Sequence, residues 1–155
     1  MRAGFGLDAH AFGGPGPLLL AGIVVENNQG LVATSDGDVV AHAVADAVLG
    51  AAALGDLGEH FPSSDPESQG ADSMAMLRSA VERIAGDGLQ VANVDVTVVA
   101  QTVKVAPHRA AMRAALAGVL GVEIGAVSVK ATTTDGLGFV GDDEGIACYA
   151  VVVLE

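Results

Sequence analysis

SDGDVVAHAVADAVLGAAALGDLG, residues 35–58, is the stretch from which the fold can be read. Val40, Ala43, Val44, Ala47, Val48 and Ala51 recur at three- and four-residue spacing, which marks one apolar stripe of a helix. Ser35, Asp36 and Asp38 stand just ahead of it, where side-chain oxygens can accept the first free N–H groups, and the helix is expected to run to about Leu54. Asp38, His42 and Asp46 follow at i, i+4 and i+8, a polar line along the same helix. His42 has only alanines and valines around it in sequence. An imidazole raised from such a run points to chemistry rather than to solvation.

Upstream, AGFGLDAHAF (3–12) reads as a strand in which Asp8 and His10, two apart, share a face. A turn at 13–17 follows, and LLLAGIVV (18–25) is expected to resume as one strand. Downstream, 55–70 has the Gly, Pro, Ser and Asp content of a long irregular loop, a length that often carries function. Asp72 can cap a helix whose stripe is Leu77, Ala80, Val81 and Ile84, ending near 86–88. Residues 89–102 alternate Val94, Val96 and Val98 against Asn93, Asp95 and Thr97, a half-buried strand. Pro107 opens a further helix with Ala111, Ala115, Leu116, Val119 and Leu120 inward, and Gly121 closes it. A strand at 127–133, a glycine-rich loop at 134–145 and a last strand at 146–154 complete the chain. The expectation is one α+β domain over 1–155, a two-layer sandwich with helices packed on one face of a mixed β-sheet.

Composition narrows the function. With 51% apolar but only 3% aromatic residues, the core is built from Ala, Val and Leu. A net charge of −12 with seven Lys and Arg excludes the basic patch that nucleic acid requires. No apolar run is long enough to span a bilayer. MRAGFGLDAH has no continuous apolar segment, and the lone Cys148 can form no intrachain disulfide, so a cytoplasmic location is expected. If the ligand is phosphorylated, metal ions and backbone amides must supply most of the positive field.

Asp8, His10 and His42 make a ligand set that zinc accepts, with a fourth position open to substrate. The plainer account of the same residues is a capping aspartate and hydrogen-bonded histidines. His60 and His108 read as polar surface or capping groups, and Asp46 as either a partner of a ligating imidazole or a solvated carboxylate. Asp56, Asp65 and Asp135 are loop carboxylates suited to a hard divalent cation. KATTTDGLGF (130–139) offers threonine hydroxyls and a glycine-rich turn to phosphate oxygens, without the Gly-Lys-Ser/Thr of a Walker loop.

Taken together, GFGLDAHAFGG, the whole stretch from Ser35 to Pro66, GADS, NVDVTVVAQ with Lys104 and Pro107-His108, and KATTTDGLGF with EGIA resemble the 2-C-methyl-D-erythritol 2,4-cyclodiphosphate synthase family. The resemblance implies a homotrimer with active sites between neighbours, closing a cyclic diphosphate from a cytidine diphosphate-linked methylerythritol 2-phosphate and releasing CMP. It implies zinc on Asp8, His10 and His42, and Mg²⁺ or Mn²⁺ with help from Asp135. Thr133 would support the transition state. Ser35, Asp56, Leu57, Gly58, Phe61, Pro62, Ser63, Ser64 and Asp65 would hold the methylerythritol end. Ala100, Lys104, Ala106 and Thr132 would frame the cytidine, with Thr134 and Phe139 on the adjoining loop. Three segments depart from the family pattern: Thr34 stands where a catalytic histidine usually precedes Ser-Asp-Gly-Asp, Gly141-Asp142-Asp143-Glu144-Gly145 replaces Gly-Arg-Gly-Glu-Gly, and Thr102-Val103 replaces a residue-then-proline pattern before Lys104. These departures leave two alternatives open: an enzyme acting on another nucleotide-linked phosphate ester, and a non-catalytic trimeric protein that keeps zinc for structure.

Overall fold

The computed structural model describes residues 1–155. In chain order its elements are β1 (Arg2–Gly14), β2 (Leu18–Leu20), β3 (Ile23–Val25), β4 (Gly30–Leu31), α1 (Val39–Ala52), α2 (Leu57–His60), α3 (Ser73–Gly86), β5 (Val91–Val99), α4 (Arg109–Leu120), β6 (Val127–Thr132), α5 (Gly138–Gly141) and β7 (Gly145–Leu154). Five strands form one sheet in the order β4-β1-β7-β5-β6. Only β5 and β6 run parallel, so the sheet is mixed, as expected.

Glycines decide where the central helix lies. A Cβ on Gly4 would fall against the Ala47 carbonyl, and one on Gly6 against the Ala43 carbonyl. Bare strand backbone therefore meets an alanine face of α1 directly, and the even-numbered residues of β1 point to the helix. Asp8 and His10 continue that even series, which carries them toward the start of α1 where His42 stands. Val91, Val94, Val96 and Val98 of β5 and the even residues of β7 join α1, α3 and α4 in a single core that includes Leu77, Ile84, Met112, Leu116, Ile146 and Val152. The helices thus cover one face of the sheet. On the other face Phe5 is 61% and Tyr149 41% exposed, their rings 6.1 Å apart, and Leu7 and Val151 are open beside them. Only α5 reaches that face, where Val140 meets Val99 and Ala147. No helix is long and apolar enough to cross a membrane.

Four expectations about the elements need correction. Residues 18–25 are not one strand but a hairpin, β2 against β3, turning at Ala21 (φ 53°) and Gly22 (φ 73°). The turn is held by Asp38, whose carboxylate accepts the N–H groups of Ala21 (2.9 Å) and Gly22 (2.6 Å) while capping α1 through Val40 and Ala41. Helix α1 ends at Ala52, with Ala53 in the left-handed conformation, and is not a one-sided helix. Val39, Ala41, Ala45 and Leu49 are buried as well, because β1, β7, α3 and β2 surround it. The 55–70 segment is not wholly irregular: it holds α2, capped by Asp56, and a 3-10 turn at Pro66–Ser68 capped by Asp65. The inward face of α4 is Met112, Leu116, Ala117 and Leu120, rotated so that Ala111 is exposed. Asp72 caps α3, and Gly121 ends α4 in the left-handed conformation, both as expected.

Candidate active site

Strand β1 and helix α1 bring three separated residues to one point. Oδ2 of Asp8 lies 3.0 Å from His10 Nε2 and 2.9 Å from His42 Nδ1. One ligating atom from each residue fits within 4.8 Å of the others, the compactness a single bound cation needs. The two rings stand 5.7 Å apart at 58°. Each imidazole is fixed from behind. His10 Nδ1 donates to the Val32 carbonyl at 2.9 Å, and His42 Nε2 faces Ser73 and Ser35. His10 Nε2 is buried without a hydrogen-bond partner, its approach to Asp8 being short but poorly aimed. A buried nitrogen without a hydrogen-bond partner, lying beside a carboxylate and a second imidazole, fits a metal ion.

The charges agree with that geometry. Burial pushes the Asp8 carboxyl up, but the two imidazoles outweigh it and hold Asp8 at about 2. The same carboxylate raises His10 above its ordinary value, against the opposing effect of burial. Asp46 settles neither way expected of it: its Oδ1 accepts the Leu57 N–H at 2.7 Å, tying α1 to α2, and partial burial raises its carboxyl.

The cluster forms one end of a cleft of about 490 Å³ that also gathers Thr34, Ser35, Leu57, Gly58, Phe61, Pro62, Ser63 and Ser64. Ala33, Ser68 and Met76 line it too, and no sequence motif marked them. No Lys or Arg reaches this cleft. Asp56 and Asp65 lie outside it and use their carboxylates as helix caps, toward Glu59 and Glu67. His60 bonds the Leu54 carbonyl at 2.8 Å, and His108 sits at the start of α4.

A second, smaller cleft of about 210 Å³ collects Ala100, Lys104, Ala106, Thr132 and Thr133, with Gln101, Val103 and Arg109. Beside it, Thr134 Oγ1 donates to the Leu137 carbonyl and Thr133 Oγ1 to Asp135, in a turn where Asp135 has φ 53°. Phe139 is exposed on the following turn. The register relates the two clefts. Asp8 pairs with Cys148, Cys148 with Val98, and Val98 with Ala131, so both clefts open along one row of the sheet. Three strand spacings separate them, about 14 Å.

Comparison with known proteins agrees with this arrangement. A protein named 2-C-methyl-D-erythritol 2,4-cyclodiphosphate synthase from Cronobacter sakazakii is 55% identical over 154 residues, 99% of this chain and 97% of that one. A solved structure of 2C-methyl-D-erythritol-2,4-cyclodiphosphate synthase in a CDP-bound form superimposes with a TM-score of 0.91 at 31% identity, covering 99% of this chain and 100% of the other. The bifunctional IspDF of Campylobacter jejuni matches with a TM-score of 0.95 at 43% identity over 99% of this chain, which spans 42% of that larger protein. The YgbB family model matches residues 1–155, and the chain belongs to the YgbB family.

Proposed function

We propose that this protein converts 4-diphosphocytidyl-2-C-methyl-D-erythritol 2-phosphate to 2-C-methyl-D-erythritol 2,4-cyclodiphosphate with release of CMP, a phosphorus–oxygen lyase of isoprenoid precursor synthesis. The observation that carries it is the convergence of Asp8, His10 and His42 at one end of a cleft with no basic side chain. Full-length relatives bearing that name support it.

In this reaction an oxygen of the 2-phosphate forms a bond to the β-phosphorus. The bond from that phosphorus to the bridging oxygen breaks, and CMP departs with the electron pair. Nucleophile and leaving group belong to one substrate, so the chain has only to fold the substrate back on itself and neutralise charge. Zinc held by Asp8, His10 and His42, and Mg²⁺ or Mn²⁺ held with Asp135, would supply the positive field that seven Lys and Arg spread over the chain do not. Ser35, Leu57, Gly58 and the loop from Phe61 through Ser64 to Asp65, with Asp56 behind it, shape the walls for the methylerythritol end. Thr34 offers a hydroxyl to the phosphates where the family pattern has histidine. Ala100, Lys104, Ala106 and Thr132 frame the cytidine. Thr133 and Thr134, with Phe139 on the adjoining turn, position the diphosphate for attack.

The separation of the clefts supports a site completed between subunits. About 14 Å along one sheet row separates the metal cluster from the threonine turn, so one chain presents them as two surfaces rather than one. The uncovered apolar face around Phe5, Leu7, Tyr149 and Val151 is the surface a homotrimer would bury. A cytoplasmic location is part of the same proposal. Its test is CMP release from the cytidine-linked substrate by the purified protein: release that depends on both metals is expected, and no release with both metals present would overturn it.

A further inference from the structure

His42 enters the cluster through Nδ1, and its other ring nitrogen is held by a chain of hydrogen bonds reaching to Ser73 and Asp36, to which the sequence assigns no role at the metal cluster. Nε2 lies 2.8 Å from Ser73 Oγ and 3.2 Å from Ser35 Oγ. Ser73 is the first residue of α3 and only 1% exposed. Its hydroxyl makes a short hydrogen bond to Asp36 Oδ1, and its N–H donates to Asp36 Oδ2 at 3.1 Å. Asp36 thus accepts both hydrogen-bond donors of Ser73.

Donor and acceptor inventories give the chain a direction. As a carboxylate Asp36 can only accept, so the single hydroxyl proton of Ser73 goes to Asp36. The serine oxygen then has lone pairs alone to offer His42, and Nε2 must carry the hydrogen. An imidazole with its hydrogen on Nε2 ligates through Nδ1, the nitrogen that faces Asp8 and His10. Ser35 Oγ accepts the Gly37 N–H at 3.2 Å and lies 3.4 Å from Ser73 Oγ, a far longer approach than that of Asp36; it sits on the cleft side and is not bound to Asp36.

We propose that Ser73, directed by Asp36, is a positioning residue that fixes the ring plane and the ligating nitrogen of His42. The inference rests on the metal reading above and adds the start of α3 to the machinery of the site. Its reach is wider than one bond: the segment before α1 and the first turn of α3 are joined through this relay, so metal affinity depends on a helix that contributes no ligand.

The test is a zinc competition titration with a chromophoric chelator on the full chain, for wild type, Ser73→Ala, Asp36→Asn and His42→Ala. Ser73→Ala is expected to bind zinc roughly 10- to 100-fold more weakly, the usual cost of losing a partner behind a ligand. Asp36→Asn keeps Ser73 in place but lets an amide donate to it and turn the serine proton toward Nε2, so about tenfold weaker binding is expected. Proton NMR of the zinc-loaded protein supplies a signature that a purely structural role would not move. The His42 Nε2–H should exchange slowly in wild type and rapidly in Ser73→Ala. Zinc affinity within twofold of wild type in both variants, with an unchanged Nε2–H, would overturn the inference. If His42→Ala also bound zinc as wild type does, the metal reading itself would fall, and that outcome is distinct from the first.

Discussion

Nδ1 of His42 stands 2.9 Å from Oδ2 of Asp8, although thirty-four positions separate them in the chain. The meeting depends on Gly6, two residues before Asp8, where the helix backbone at Ala43 comes so close that no Cβ fits. Gly6→Ala should therefore push α1 away from β1. A loss of about 3 kcal/mol is expected from urea unfolding, with less zinc retained per chain than wild type. Wild-type stability and zinc content would mean that the close approach does not set the site.

Asp38 ties the β2–β3 hairpin to the start of α1 through four N–H groups and is fully buried. Burial pushes its carboxyl up while the amides that surround it oppose the shift. Asp38→Ala leaves four donors without an acceptor. A loss of about 3–5 kcal/mol is expected from denaturant unfolding, well beyond an ordinary helix cap. A loss under about 1 kcal/mol would show that Asp38 is no more than a cap.

The Asp8–His10 pair gives metal-free protein a bounded pH window. Asp8 is depressed from 3.8 to about 2, so its contribution is full above 3.8 and is lost as the pH falls toward 2. His10 is raised above 6.5, so its contribution is full below 6.5 and is lost as the pH rises through the raised value. Unfolding of chelator-treated protein should show extra stability of about 1–2 kcal/mol between those limits, discounted for partial exposure, that Asp8→Asn lacks. Parallel pH profiles for the two proteins would contradict this.

A site shared between subunits predicts complementation. On the proposed reading His42→Ala removes a zinc ligand and Thr133→Ala a phosphate contact, so each protein alone should turn over at a small fraction of the wild-type rate. Unfolded and refolded together, they should regain activity, because some interfaces then join an intact cluster to an intact turn. Activity no greater than the sum of the separate proteins would place both halves within one chain.

Much of this was legible in the sequence. The Asp-x-His pair gave a shared strand face, the helix gave His42, and the valine alternation of 94–98 placed β5 correctly. What failed did so for physical reasons. An Ala- and Val-rich helix buried on all sides has no unique stripe, so periodicity does not single out Val39, Ala41, Ala45 and Leu49. Ala-Gly is not a usual hairpin turn, since alanine rarely takes positive φ; here Asp38, seventeen residues on, holds both turn amides. The sequence pattern does not place Met112 and Ala117 inward because α4 is alanine-rich, and small residues fix a helix's rotation weakly. The relay through Ser73 and Asp36 joins residues thirty-seven apart, and only the fold shows them in contact.

Phosphorus NMR of the full chain with Zn²⁺, Mg²⁺ and the cytidine-linked methylerythritol phosphate tests the assigned reaction most directly. CMP and the cyclic diphosphate should appear in equal amounts with wild type, and neither with His42→Ala. Substrate left intact by zinc-loaded wild type, or CMP released without a cyclic product, would contradict the assignment.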